Sequence, residues 1–188
     1  MSLAAEILRS IDREIWVVTA AEGEKEGGLV STTVASASIV AEMPRVLITL
    51  SHRHFTSGLI TRTGRFALHL LDREQTSLAF RFGGQSGRDV DKLAGLPMER
   101  TPSGLPVLSE SVAWLECRVE ARVDIGDRDV VLAEVVSSHR NRSSPPLTVQ
   151  HWMSVAKEEE RRMLRKLLDE DAVADAAAIA AWRESRNA

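Results

Sequence analysis

The chain contains one cysteine, Cys117, which excludes an internal disulfide and any paired-thiol metal or redox centre. In its apolar, strand-like setting that thiol reads as core. No apolar run approaches the roughly 20 residues that a membrane-spanning helix needs. The opening residues Met1 to Glu6 carry charge early and lack the uninterrupted apolar stretch of a secretory leader, so the expected compartment is the cytoplasm. Basic residues are not in excess: 24 Lys and Arg against 27 Asp and Glu leave a net charge of −3, which argues against a nucleic-acid partner. Neither GxGxxG nor GxxxxGK followed by Ser or Thr occurs, so the common glycine-loop routes to nucleotides are absent.

What is present is the composition of an ordinary globular domain, 44% hydrophobic and 27% charged over 188 residues, long enough to bury a core without staples. Apolar spacing predicts a short helix over 3–12, a strand over 15–20 and a polar turn over 22–28. A strand of small residues over 28–39 and an apolar strand over 45–51 follow. A helix over 56–63 should end at Gly64 in a left-handed cap, and a strand over 66–71 returns. Asp72 with Gln75 three residues on resembles a capping box, predicting a helix that stops at Gly83-Gly84. Residues 84–110, broken by glycines and prolines, read as loop. From Ser111 the alternation puts Ala113, Leu115, Cys117, Val119, Ala121 and Val123 on one face, with Glu116, Arg118, Glu120, Arg122 and Asp124 on the other. Gly126-Asp127 turns the chain, and Val131, Ala133 and Val135 continue the pattern. Short strands closed by a hairpin favour a small antiparallel barrel, assigned to residues 1–145.

Past Pro145-Pro146 the character changes. Residues 146–188 read as a C-terminal helical extension, capped at Ser154, with an apolar stripe Met163, Leu164, Leu167 and Leu168. Asp169-Glu170-Asp171 is expected to break it before the alanine-rich Ala172–Trp182. One stripe cannot fold alone, so it must pack on the barrel or on a second subunit.

Three segments could carry a site. Between Gly28 and Ile39 hydroxyls and methyls alternate without charge, so a flat ligand could approach the backbone and the hydroxyls of Ser31, Thr32 and Thr33; the same residues also suit a tightly packed strand. In Ser51-His52-Arg53-His54-Phe55-Thr56-Ser57, hydroxyls, a cation and a helix start converge as an anion such as phosphate requires, although a solvated turn has the same composition. His52 and His54 have the spacing of two metal ligands, but no Cys or acid stands nearby in sequence, so no metal is expected. In Gly83-Gly84-Gln85-Ser86-Gly87-Arg88-Asp89-Val90-Asp91-Lys92, exposed backbone N–H groups join two cations, which fits phosphate or a charged surface loop. His69, His139 and His151 read as structural.

Taken in order, several short stretches resemble the flavin reductase-like family of FMN-binding split barrels, which includes reductase components of two-component monooxygenases and flavoredoxins. They are Trp16-Val17-Val18-Thr19, Gly28 through Ser38 with Pro44, Ser51-His52-Arg53 with Thr56, and Gly64-Arg65-Phe66 leading to Leu70-Leu71. Phe82-Gly83, Asp91-Lys92, Leu105-Pro106-Val107-Leu108, Leu115-Glu116-Cys117-Arg118-Val119 and Gly126-Asp127 continue the series. The resemblance implies a mainly β fold, a homodimeric six-stranded antiparallel split β-barrel holding FMN, or loosely FAD, near the subunit interface. It implies Ser31, Thr32 and Thr33 at the polar edge of the flavin ring, and Ser51, His52, Arg53 and Thr56 at the ribityl and phosphate with Ser86 and Arg88 in support. NAD(P)H would be the reductant and a flavin-dependent monooxygenase component the partner. Where the family commonly has histidine after Gly-Asp, this chain has Arg128, which takes the catalytic position facing the second substrate; a common threonine aligns with Val30. A non-catalytic FMN-holding electron carrier is the alternative, and a haem- or metal-binding relative would need axial ligands that the sequence does not identify.

Overall fold

The computed structural model describes residues 2–187; Met1, part of the stretch read for a leader, and Ala188 lie outside them. In chain order the elements are α1 (Leu3–Ser10), β1 (Trp16–Glu22), β2 (Lys25–Ser31), β3 (Ala35–Ser36), β4 (Arg45–Ser51), α2 (Phe55–Thr63) and β5 (Arg65–Leu70). They continue with α3 (Thr76–Gly83), β6 (Met98–Arg100), β7 (Pro106–Leu108), β8 (Ala113–Asp124), β9 (Arg128–Arg140), α4 (Val149–Val155) and α5 (Glu158–Asn187). Seven strands form one curled antiparallel sheet in the order β2-β1-β5-β8-β9-β4-β3, and β6-β7 form a separate ribbon. Six of the seven are long; the seventh, β3, has two residues. Among the described residues no helix is long and apolar enough to cross a membrane.

All six long strands feed one core. Val18, Leu29, Ile48, Leu50, Phe66, Leu68, Cys117, Val131 and Ala133 cluster with Leu59 and Ile60 of α2, which plugs the curled sheet from inside. The plug ends as the sequence predicts: Gly64 adopts φ +66° and its N–H donates to Ile60 O at 2.8 Å. A second core lies on the opposite face of β1, where Val17 packs with Phe82 of α3, Leu147, Trp152 of α4 and Leu164 of α5. Burial of β1 on both faces is why its sequence shows a continuous apolar run. The glycines of β2 follow from the same packing. A Cβ on Gly28 would lie 2.4 Å from Phe82 Cε1, so α3 rests on a strand with no side chain at that point. Burial also explains Cys117, whose thiol is pushed up to about 12 and is therefore inert as a nucleophile.

The fold corrects four sequence expectations. The small-residue stretch 28–39 is not one strand: β2 ends at Ser31, because Thr33 folds back to accept from Thr49 N–H at 3.2 Å and to bond Thr49 Oγ1 at 2.9 Å. In β8 the alternation fails past Val119. Through Val119 the predicted core face holds, with Glu116 on the other face but buried against Ser103; the register shift between Val119 and Ala121 then exposes Val123 and half-buries Arg122. An extra residue reverses every later side chain on a period-two strand. The region 84–110 contains the β6-β7 ribbon. Ser154 caps nothing: it lies inside α4, which Thr148 caps, and the helix carrying Met163 and Leu164 is a separate α5 that starts at Glu158 and runs unbroken through Asp169-Glu170-Asp171. Strong helix formers flank those acids, Glu, Arg, Lys and Leu before them and alanine after, and sustain the helix, so the acids need only be solvated or paired. Of the proposed stripe, Leu164 is buried and Leu167 half-buried, whereas Met163 and Leu168 are exposed.

Candidate functional site

Strand register assembles the site. Ser51 at the end of β4 lies opposite Arg128 at the start of β9, and His52 N–H donates to Asp127 O at 3.3 Å. The loop entering α2 is thereby tied to the β8-β9 turn. From the other side the loop after α3 comes in: Phe55 packs against Gly87, whose absent Cβ would also touch Lys92 Cε at 4.0 Å. The two loops that sequence marked as phosphate-contact candidates therefore meet.

Between the α3 loop and β2 lies a cavity of about 350 Å³, bordered by Gly27, Gly28, Phe55, Arg88 and Lys92. That volume is within the range of small-molecule sites. Four acids also border it, Glu24, Glu26, Asp89 and Asp91, and two of them are engaged. Glu26 pairs with Arg100, and Asp91 accepts from the N–H groups of Leu93 at 2.9 Å and Ala94 at 3.2 Å. The guanidinium of Arg88 is exposed, and the backbone N–H of Arg88 donates to Ser86 Oγ at 3.2 Å.

Lys92 is the unusual group. It is 6% exposed, its ammonium donates to Phe82 O at 2.8 Å, and among the described residues no carboxylate pairs with it. Desolvation alone pushes it down to about 8 from 10.5. A buried ammonium is costly without a counter-ion, and an anion in the adjoining cavity could supply one. The sequence pointed to Lys92 only as one charge in a polar loop, and nothing in its neighbours signals burial.

Other candidates are placed as follows. Ser31 and Thr33 bond each other at 3.2 Å and Thr33 in turn bonds Thr49, so the pair stitches the end of β2 to β4; Thr32 Oγ1 has no hydrogen bond among the described residues. Ser51 is buried, as is Thr56, whose Oγ1 would lie 2.9 Å from a Cβ on Gly27. His52 Nε2 lies 3.2 Å from Asp129 Oδ1 and 3.9 Å from Asp124 Oδ1. The fold thus supplies the acids that are missing around His52 in sequence, and the three groups lie within 4.8 Å of one another. Burial raises the Asp129 carboxyl, but hydrogen bonds from Arg122 and His52 outweigh it and hold the group below its ordinary value. With Arg122 on one carboxylate, the cluster is a closed ion-pair network. His54 does not join it. Desolvation lowers its imidazole pKa, Asp171 opposes, and Lys92, Arg53 and Arg128 add to the lowering, which places His54 amid the site's charges. His69, His139 and His151 serve packing: His69 bonds Val17 O, His139 stacks near Trp114 and His151 accepts from Arg73.

Two arginines are held by α5. Arg53 Nη2 lies 2.8 Å from Asp171 Oδ1 and 3.1 Å from Asp175 Oδ1. Arg128 Nη2 lies 2.7 Å from Asp175 Oδ2, and its Nε bonds the adjacent Asp127. Leu164, Leu167, Asp171, Asp175, Ala178 and Trp182 recur at helical spacing on the covered face, a signal the sequence carried.

Residues 8–154 match the Flavin reductase like domain. Among curated relatives, the high molecular weight rubredoxin of Moorella thermoacetica is 27% identical over 79% of this chain and 65% of its own length. The reductase subunit HsaB of a flavin-dependent monooxygenase from Rhodococcus jostii is 35% identical over 59% of this chain and 55% of its own. The chain thus spans less than two thirds of the length of either relative. Among solved structures, the flavin reductase domain protein from Arthrobacter sp. FB24 superposes with a TM-score of 0.70 at 24% identity, covering 77% of this chain and 87% of that one.

Proposed function

Since the chain belongs to the flavin reductase-like family, we propose that it binds FMN, takes reducing equivalents from NAD(P)H and delivers reduced flavin to a partner oxygenase in the cytoplasm. The observation that carries this reading is Lys92, a buried ammonium paired with no carboxylate among the described residues, at the wall of a cavity of ligand size. Flavin, when bound, supplies the two-electron redox chemistry, so the protein needs no nucleophile or general base of its own. The residues present fit that group. Lys92 and Arg88 would hold the phosphate, with backbone N–H groups of the glycine-rich loop and Ser86 in support. Ser51, His52, Arg53 and Thr56 line the approach from the other loop, and Thr32 offers a hydroxyl to the ring edge. Ser31 and Thr33 position the strand end that carries Thr32. Arg128, a planar fork of donors that stays charged at working pH, suits the pyrophosphate of the reductant.

A second reading, a flavin carrier without a nicotinamide step, is favoured by the engagement of Arg128 with Asp127 and Asp175. Anaerobic mixing of the FMN-loaded protein with NADH or NADPH separates the two. Bleaching of the flavin absorbance on addition of either nucleotide is the expected result. Bound flavin that neither nucleotide bleaches leaves the carrier, and absence of flavin binding removes both readings.

We also propose a homodimer. The apolar residues Leu3, Ile7, Leu8 and Ile11 of the α1 segment are exposed, as are Met163 and Leu168 of α5, and a second copy would cover such surface. Sedimentation should give twice the 20.7 kDa chain mass at micromolar concentration. A stable monomer would refute the assignment.

A further inference from the structure

The geometry points to α5 as a built-in competitor for the phosphate-binding site: Asp171 and Asp175 occupy the guanidiniums of Arg53 and Arg128, and a ligand phosphate must displace them. This rests on the proposed function, because Arg53 and Arg128 are the cations assigned there to the ligand's approach.

Three observations carry it. The contacts are numerous and specific: Arg53 Nη2 meets Asp171 Oδ1 at 2.8 Å, Asp175 Oδ1 at 3.1 Å and the Asp171 carbonyl at 3.4 Å, while Arg128 Nη2 meets Asp175 Oδ2 at 2.7 Å. A carboxylate accepts from a guanidinium fork with the geometry that phosphate oxygens use, so each acid stands in for the anion. The helix is also seated flush on the turn that carries Arg128. Gly126 has φ +102°, and a Cβ there would come within 2.9 Å of Trp182 Cβ and 3.1 Å of Ala178 O. Finally, the contact is polar where it crosses the site. Leu164 anchors the start of α5 in the second core, but over the arginines the covered face presents Asp171, Ala174, Asp175 and Ala178. Ion pairs between partly exposed groups are weak and salt-screened, so an anion can replace the contacts over the arginines while Ala178 and Trp182 stay seated on the Gly126 turn.

The test uses the full-length chain with Asp171→Asn and Asp175→Asn together. Asn keeps the size and the helix while removing both negative charges. Two phosphate sources are titrated separately at low ionic strength, FMN for the flavin phosphate and ADP for the pyrophosphate of the reductant, with riboflavin as the phosphate-free control. The source that competes with α5 should bind the variant about three- to tenfold more tightly than wild type, the size expected for losing a few partly exposed ion pairs. Riboflavin should bind both equally. In wild type, amide hydrogen exchange across residues 171–175 should rise on addition of that same source and stay flat with riboflavin. Equal affinities for FMN and ADP in both proteins, with unchanged exchange, would overturn the competitor while leaving the flavin reading in place. Weaker binding by the variant would make the acids part of the binding site and overturn it as well. Failure of both proteins to bind FMN would remove the flavin reading and the competitor together.

Discussion

Replacing Lys92 by Met is expected to weaken FMN binding about 10- to 100-fold while leaving riboflavin nearly unchanged. A charge-assisted hydrogen bond contributes about 1.5–3 kcal/mol, and each 1.4 kcal/mol is tenfold in affinity. The upper end applies here because the ammonium is already desolvated: it is 6% exposed, with Phe82 O as its hydrogen-bond partner at 2.8 Å and no carboxylate paired with it among the described residues. Met has similar length and no charge, so it fills the same space and removes the cost of burying an ion; the variant should fold at least as stably as wild type. The pH dependence gives an independent check. In the free protein the ammonium titrates at about 8, lowered by desolvation, and a phosphate binds its protonated form. FMN affinity should therefore hold up to about pH 8 and fall above it, and Lys92→Met should lack that alkaline fall. Equal losses for FMN and riboflavin, or an unchanged alkaline limb, would show that Lys92 does not meet the phosphate.

The elements that frame this site were legible because each has a local physical cause. The Gly64 cap, the apolar β4 and the hairpin turn at Gly126-Asp127 all follow from residue types that admit few alternatives at their positions. The two candidate loops were also legible, as glycine, hydroxyl and cation clusters, and register brings them together. What stayed hidden depends on tertiary partners. The bulge in β8 turns Arg122 toward Asp129 and Thr61, a choice that no alternation in β8 itself encodes. Lys92 reads as solvent-facing because its neighbours Asp91 and Asp89 are polar; its burial goes with a tertiary contact, the ammonium's hydrogen bond to Phe82 O. Ser31 and Thr33 looked like ligand groups, yet their closest acceptors and donors lie on each other and on Thr49. Asp171 reads as part of a helix break and Asp175 draws no reading, because their partners Arg53 and Arg128 stand over 40 residues away in the chain.

Acidification from about pH 6.5 to pH 4 should cost the fold about 3 kcal/mol through one residue, His69. It is fully buried on β5, its Nδ1–H donates to Val17 O at 3.0 Å, and Nε2 has no partner. Desolvation holds its imidazole at about 4, against 6.5 for an exposed histidine, although the Val17 carbonyl pulls the other way. Between those values the unfolded chain binds a proton that the folded chain refuses, so stability is intact above pH 6.5 and declines as pH falls toward 4. The gap, at 1.36 kcal/mol per pH unit, amounts to about 3 kcal/mol. Carboxylates act in a different window. Asp72 and Asp129 lie below 3.8 in the folded state, through hydrogen bonds that outweigh burial, and their contributions fade only below that pH. His54, whose imidazole desolvation also lowers, acts in the same direction, so denaturant unfolding at fixed intervals from pH 7.5 to 4 is read as the difference between wild type and a His69 variant. Replacement of His69 by Gln, which can keep a donor on the Val17 carbonyl without an ionisable ring, should flatten the profile across that window at some loss of stability near neutrality. A variant whose stability falls as far as that of wild type between pH 6.5 and 4 would assign the acid sensitivity to another group.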